Sequence, residues 1–230
     1  MFFALMRFLH LADLHLGKRL KEFSLIEDQR FVLKQAVQLV QTEKMDGVFL
    51  AGDIYDSSVP SAEAMSLFDD FLTALNQTGV PVFIISGNHD SAEKLQFGGR
   101  IFKKNKIYVS TDVKEAIKPI VLGDVRLYLL PFIRPIDVND AFASECGSYG
   151  EALQEVIKRM ALDPKKTNIL LAHQMVLPVS GSLLAGGSES VSSISDGVIY
   201  GDVTSVPASL FQDFDYVALG HVHRPQNIAN

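Results

Sequence analysis

The 230 residues are 47% hydrophobic and 21% charged, an ordinary globular composition that supports one large α/β domain and excludes a disordered or fibrous chain. The single cysteine, Cys146, excludes an internal disulfide framework and fits a reducing compartment, and no apolar run reaches membrane-spanning length, so a cytoplasmic protein is expected. The net charge of −6 argues against coating nucleic acid by bulk charge, although bound divalent ions would offset it wherever a phosphate sits.

Residues 8–12 read as a strand. Residues 27–44 read as an amphipathic helix, with Phe31, Val32, Ala36, Leu39 and Val40 near helical spacing. Residues 48–51 form the next buried strand. Ser61 caps a helix over 62–76, with Glu63 in its first turn, and Gly79 and Pro81 end that element before a strand at 82–85. This alternation predicts parallel βαβ units. Short strands follow at 107–109, 117–122 and 125–130, the last two joined by a turn at Gly123 and Asp124, so the sheet architecture becomes mixed. A helix at 149–160 stops at Asp163 and Pro164, and strands at 168–172 and 216–219 each run into histidine. Between these two strands, ten of the seventeen residues from 181 to 197 are Gly or Ser, the composition of a mobile loop expected to hang over the same edge.

Five of the six histidines fall in polar clusters at the ends of these strands. The clusters are Asp13 with His15, Gly52-Asp53, Gly87-Asn88-His89-Asp90, His173, and His221 with His223. Strand ends in an α/β sheet share one edge, so the clusters can converge there. Within an extended strand, positions i and i+2 point the same way, which would aim Asp13 and His15, and again His221 and His223, at one ion. The two oxygens of Asp53 suit a bridge between two ions about 3.5–4 Å apart. Imidazole, carboxylate and amide donors without thiolate favour Mn²⁺, Fe²⁺ or Zn²⁺. Buried polar groups cost free energy unless they are paired or bind metal, so a purely structural reading of all these clusters fails.

The order Asp-X-His, Gly-Asp, Gly-Asn-His-Asp, His, Gly-His-X-His, running from Asp13 to His223, resembles the calcineurin-like metallophosphoesterase superfamily. The resemblance implies a layered α/β fold with central mixed sheets flanked by helices. It assigns one metal to Asp13, His15, Asp53 and His223, and a second to Asp53, Asn88, His173 and His221. It makes His89 the catalytic histidine and Asp56 the acid that orients it. Residues 8–18, 52–56, 131–135 and 220–225 are similar to the SbcD family of bacterial nuclease subunits. That similarity implies a manganese-dependent 3′→5′ exonuclease and endonuclease, cutting DNA ends or hairpins in repair, recombination and replication. It also implies a homodimer bound to an SbcC-like coiled-coil ATPase at the nucleoid. Such proteins are longer, with capping and ATPase-binding regions, and the short stretch after His223 leads to the expectation of a nuclease-domain fragment.

Lys18, Arg19 and Lys21 are candidates for contact with the DNA backbone, as is Arg134. Lys103, Lys104 and Lys106 read as a solvated face, His10 as a structural or site-supporting residue rather than a ligand, and Asp90 as either site support or a turn cap. The dimer contact that the resemblance implies has two candidates, the helix at 62–76, through Met65, Phe68, Phe71, Leu72 and Leu75, and the segment 92–102, through Leu95, Phe97, Ile101 and Phe102; the alternative is that these residues pack into the monomer core. Two rival readings are a phosphomonoesterase or cyclic-nucleotide phosphodiesterase of the same superfamily, and a dimerising scaffold for the ATPase. Protein phosphatases of the superfamily usually carry Glu where this chain has Asp90.

Overall fold

The computed structural model describes residues 6–177 and 205–223. The Gly/Ser-rich loop expected at 181–197, the apolar start at 1–5 and the stretch beyond His223 lie outside the described residues. The first sheet holds four parallel strands in the order β1-β4-β5-β6: β1 (Phe8–Leu11), β4 (Gly47–Ala51), β5 (Val82–Ile85) and β6 (Ile107–Ser110). A two-residue hairpin, β2 (Arg19–Leu20) with β3 (Phe23–Ser24), precedes helix α1 (Ile26–Thr42). Helix α2 (Ala62–Gln77) crosses from β4 to β5, capped by Ser61, whose hydroxyl accepts from the Ala64 amide. Two short helices, α3 (Ala92–Gln96) and α4 (Gly99–Lys104), stand between β5 and β6, split where Gly98 takes a φ of 80°.

The second sheet has the order β12-β9-β8-β7, from β7 (Ile120–Leu122), β8 (Val125–Leu130), β9 (Thr167–Ala172) and β12 (Tyr216–Leu219). Only the β7–β8 pair among these is antiparallel. Helices α5 (Val113–Ala116), α6 (Pro135–Phe142) and α7 (Tyr149–Arg159) cover its outer face, and the short strands β10 (Val176–Leu177) and β11 (Val206–Pro207) pair beside it. Three apolar clusters hold the layers. Val48, Leu50, Val82 and Ile84 pack outward against α1 and α2. Phe49, Phe83, Ile85, Leu127, Leu129 and Leu171 fill the space between the two sheets. Tyr128, Leu130 and Leu170 pack against α7 through Leu153 and Val156. Continuous burial of β4 and β5 on both faces explains their unbroken apolar sequences. The architecture is therefore helix, sheet, sheet, helix, as expected for a layered α/β chain with mixed sheets.

The apolar excess of α2 goes inward: Leu67, Phe68, Phe71, Leu72 and Leu75 are all buried within the chain, and Met65 remains half-exposed. The α2 surface expected for a dimer is thus mostly monomer core. In the following segment Leu95 is buried and Phe102 partly buried, while Phe97 and Ile101 stay exposed, at 84% and 66%.

Candidate metal centre

Five parallel strands, β1, β4 and β5 of one sheet and β9 and β12 of the other, deliver the polar clusters to one edge. The side chains do not arrive there by strand alternation. β1 ends at Leu11 and β12 at Leu219, so Asp13, His15, His221 and His223 all lie in the loops beyond. Asp13, His15, Asp53 and His221 have φ of 54°, 44°, 50° and 83°. Non-glycine residues in this left-handed region cost free energy and persist only where their surroundings over-determine them. The expected i,i+2 geometry of an extended strand is replaced by tight loops held from outside. Asp13 N donates to Gly52 O, His15 N to Asp53 O and Leu16 N to Ile54 O, which lashes the first loop to the second.

The ligand atoms gather in three overlapping groups: Asp13, His15 and His223; His15, Asp53 and His89; and Asp13, Asp53 and His173, each with its atoms within 4.8 Å of one another. Asn88 joins them, its Oδ1 lying 2.9 Å from His221 Nδ1 and 3.2 Å from His173 Nε2. His15, Asp53 and His173 form a buried floor, while Asn88 and His223 are exposed at the mouth. His173 Nδ1 donates to the Ala51 carbonyl at 2.7 Å, which orients the ring and turns Nε2 into the cluster, 3.4 Å from Asp53 Oδ2. Burial works to raise the Asp53 carboxyl, but the hydrogen bond and charge of His173, with the His89 amide, overcome it and hold it at about 2. Burial likewise pushes His173 down, and the same pairing with Asp53 lifts it above the ordinary histidine value. His221 falls to about 4 through burial and the neighbouring His173 charge, and burial also lowers His15. Each of the seven expected ligands has a nitrogen or oxygen in this one centre, and the donor set fits divalent metal.

Two supporting residues hold the loops. Gln29 projects from α1, donating to Leu14 O at 3.1 Å and His15 O at 2.7 Å and accepting from Gly17 N at 3.0 Å. The sequence offered a signal for it: Gln29 falls on the stripe of Ile26, Leu33, Ala36 and Val40, a polar side chain on the core face of its helix. Asp90 accepts from Ile54, Tyr55 and Gly87 amides at 3.1, 2.9 and 2.9 Å, stapling the Asp53 loop to the Asn88 loop. Its role is therefore site support. Gly87 is required by proximity, because a Cβ there would collide with the Asp53 carboxylate. At Gly220 a Cβ would strike the Ala51 carbonyl and the His173 ring.

Asp56 divides its contacts differently from the expectation. Its backbone carbonyl, at 3.1 Å, faces His89 Nδ1, whereas its carboxylate lies 3.4 Å from His15 Nδ1 and 3.3 Å from Lys18 Nζ. Among the substrate candidates, Lys18 is thus next to the centre, Arg19 is exposed and bonded to Glu22 O, and the Arg134 guanidinium is committed to Asp137 at the start of α6. Lys103, Lys104 and Lys106 are exposed, as expected of a solvated face. His10 lies on β1 with a buried, unpartnered Nε2 and outside those groups, and burial lowers its imidazole.

Residues 6–225 match the family profile of the calcineurin-like phosphoesterases. The chain is 37% identical over 229 residues to the SbcD component of the SbcCD nuclease of Staphylococcus epidermidis, covering 98% of this chain and 59% of that protein. It is 35% identical over 227 residues to the corresponding component in Staphylococcus saprophyticus, covering 97% and 58%. The chain therefore spans under two thirds of the length of these relatives. No described helix is long and apolar enough to cross a membrane. With the profile matched from Met6 past His223, and the histidine–aspartate centre lying at one sheet edge within that span, the chain belongs to the calcineurin-like phosphoesterase family.

Proposed function

We propose that the chain hydrolyses DNA phosphodiesters at a two-metal centre with Mn²⁺, as a 3′→5′ exonuclease on double-stranded DNA and an endonuclease at ends or hairpins. The observation that carries this reading is the position of Asp53, buried and shared by two of the three ligand groups. The names of the two staphylococcal relatives, both nuclease components, supply the substrate class. Asp13, His15, Asp53 and His223 would hold one ion, and Asp53, Asn88, His173 and His221 the other. When bound, the ions supply Lewis acidity to a water nucleophile and to the phosphoryl oxygens. The buried floor of His15, Asp53 and His173 fixes the depth of the site, and the exposed Asn88 and His223 mark the side from which a phosphodiester enters. His89 gives Nδ1–H to the Asp56 carbonyl, leaving Nε2 as the atom that hands a proton to the departing sugar oxygen. Asp56 steadies His15 and Lys18 rather than His89 through its carboxylate.

Residues 1–230 serve in this reading as the nuclease domain, working at the nucleoid in break repair and recombination. Its partners are an SbcC-like coiled-coil ATPase and a second copy of the chain, the latter met through exposed Phe97 and Ile101. The test compares linear and hairpin DNA with small phosphomonoesters and cyclic nucleotides, with Mn²⁺ and with chelator. Metal-dependent cleavage of DNA is the expected result. Hydrolysis of the small esters alone, or DNA cleavage that survives chelation, would overturn it.

A further inference from the structure

Phe132 belongs to none of the three hydrophobic clusters, yet its neighbours Pro131 and Ile133 are buried and its own ring is only partly covered. It follows the end of β8, which runs parallel to β9, so it reaches the same edge as His173. Its amide donates to Ser86 O at 2.8 Å, tying it to the loop that carries Asn88. The ring centroid lies 6.2 Å from that of His221, with the planes only 26° apart, and 6.2 Å from that of Tyr149, whose plane is tilted by 46°. An apolar ring is thus held beside the His221 and Asn88 half of a charged centre. Phosphate chemistry has no use for such a ring, but the nucleoside attached to the phosphate does. Arg134, two positions on, is committed to Asp137, so contact here is made by stacking rather than by charge.

We propose that Phe132 stacks an unpaired nucleobase beside the scissile phosphate, and so selects single-stranded or frayed DNA at the point of cleavage. The inference rests on the nuclease reading above. Stacking on an aromatic side chain tolerates any base, because every base has a π-face, but it requires that the face be free of its duplex neighbours.

The test uses the whole chain with Mn²⁺ and two oligonucleotides, identical except that one has an abasic site at the cleaved position. On the base-bearing strand, Phe132→Leu is expected to raise KM roughly tenfold while kcat changes little. On the abasic strand it is expected to change neither. Phe132→Tyr, which keeps the ring, should restore the wild-type KM. A 2-aminopurine base at the cleaved position should be quenched on binding by wild type and not by Phe132→Leu. Equal losses on both strands, or no loss on either, would overturn the stacking role while leaving the nuclease reading intact. A wild-type chain that cleaves neither strand would overturn both.

Discussion

The Nε2 atoms of His15 and His223 face each other at 3.2 Å, although 208 positions separate the residues. Two neutral imidazoles so placed can share one proton at most, whereas one cation accepts both lone pairs, with Asp13 Oδ1 only 3.4 Å from His223 Nε2. Metal should therefore stabilise the fold. At a free Mn²⁺ concentration a hundredfold above Kd, one site contributes about 2.7 kcal/mol. For a chain of this size that raises Tm by roughly 5–10 °C. Calorimetry should show the rise, its reversal by chelator, and a smaller rise in His223→Ala. A Tm indifferent to Mn²⁺ would contradict the metal centre.

His89 adjoins the ligand Asn88, and its Nδ1 is occupied by the Asp56 carbonyl. His89→Ala should lower hydrolysis about 10²–10⁴-fold, the usual worth of a general acid, with metal affinity nearly unchanged. Titration calorimetry separates the two effects. Loss of an ion in this variant would make His89 a ligand instead.

Gln29→Leu removes the partners of Leu14 O and Gly17 N and one of two donors to His15 O, which keeps the Lys18 amide. Leaving such groups unsatisfied costs about 1–3 kcal/mol. Freed from the clamp, the left-handed Asp13 and His15 should relax, so metal affinity should drop further than in a surface variant of equal Tm loss. Denaturation and Mn²⁺ titration on the same samples check this. Unchanged affinity would reduce Gln29 to a stabiliser of α1.

The pH dependence of metal binding follows from two histidines, His173 and His221. Ligation needs a neutral imidazole. Burial opposes protonation of His173, but Asp53 overcomes it and raises its pKa, so protons compete for this ring as pH falls through neutrality. His221, at about 4, is already neutral there and releases none. Apparent Mn²⁺ affinity should fall by about tenfold per unit as pH drops below the His173 pKa, with about one proton released per binding event. Calorimetry in buffers of different ionisation enthalpy reads the proton count. Affinity flat from about pH 8 to 6 would place His173 outside the ligand set.

The strands were legible because they are almost wholly apolar runs: residues 82–85, 125–130 and 216–219 appear with the boundaries their composition implies. The destination of each cluster was legible too, since parallel strands share an edge. The local geometry was not. The left-handed backbone of Asp13 and His15 is held by bonds to Gly52, Asp53 and Gln29, and that of His221 by its amide on the Asp13 carboxylate, partners distant in sequence of which only Gln29 left a periodic trace. Alternation within a strand led to the expectation that these residues share one edge, whereas loops beyond the strands bring them together. Helices α5 and α6 escaped notice because each is short, and α6 begins at a proline that reads as a breaker until its place in the first turn is seen. The surplus apolar residues of α2 suggested an interface, and the inner sheet took most of them.

Anomalous diffraction from crystals of the chain grown with Mn²⁺ tests the central claim most directly. The account predicts two peaks flanking the Asp53 carboxylate, one ringed by Asp13, His15 and His223, the other by Asn88, His173 and His221. One peak alone, or two peaks neither of which touches Asp53, would contradict it.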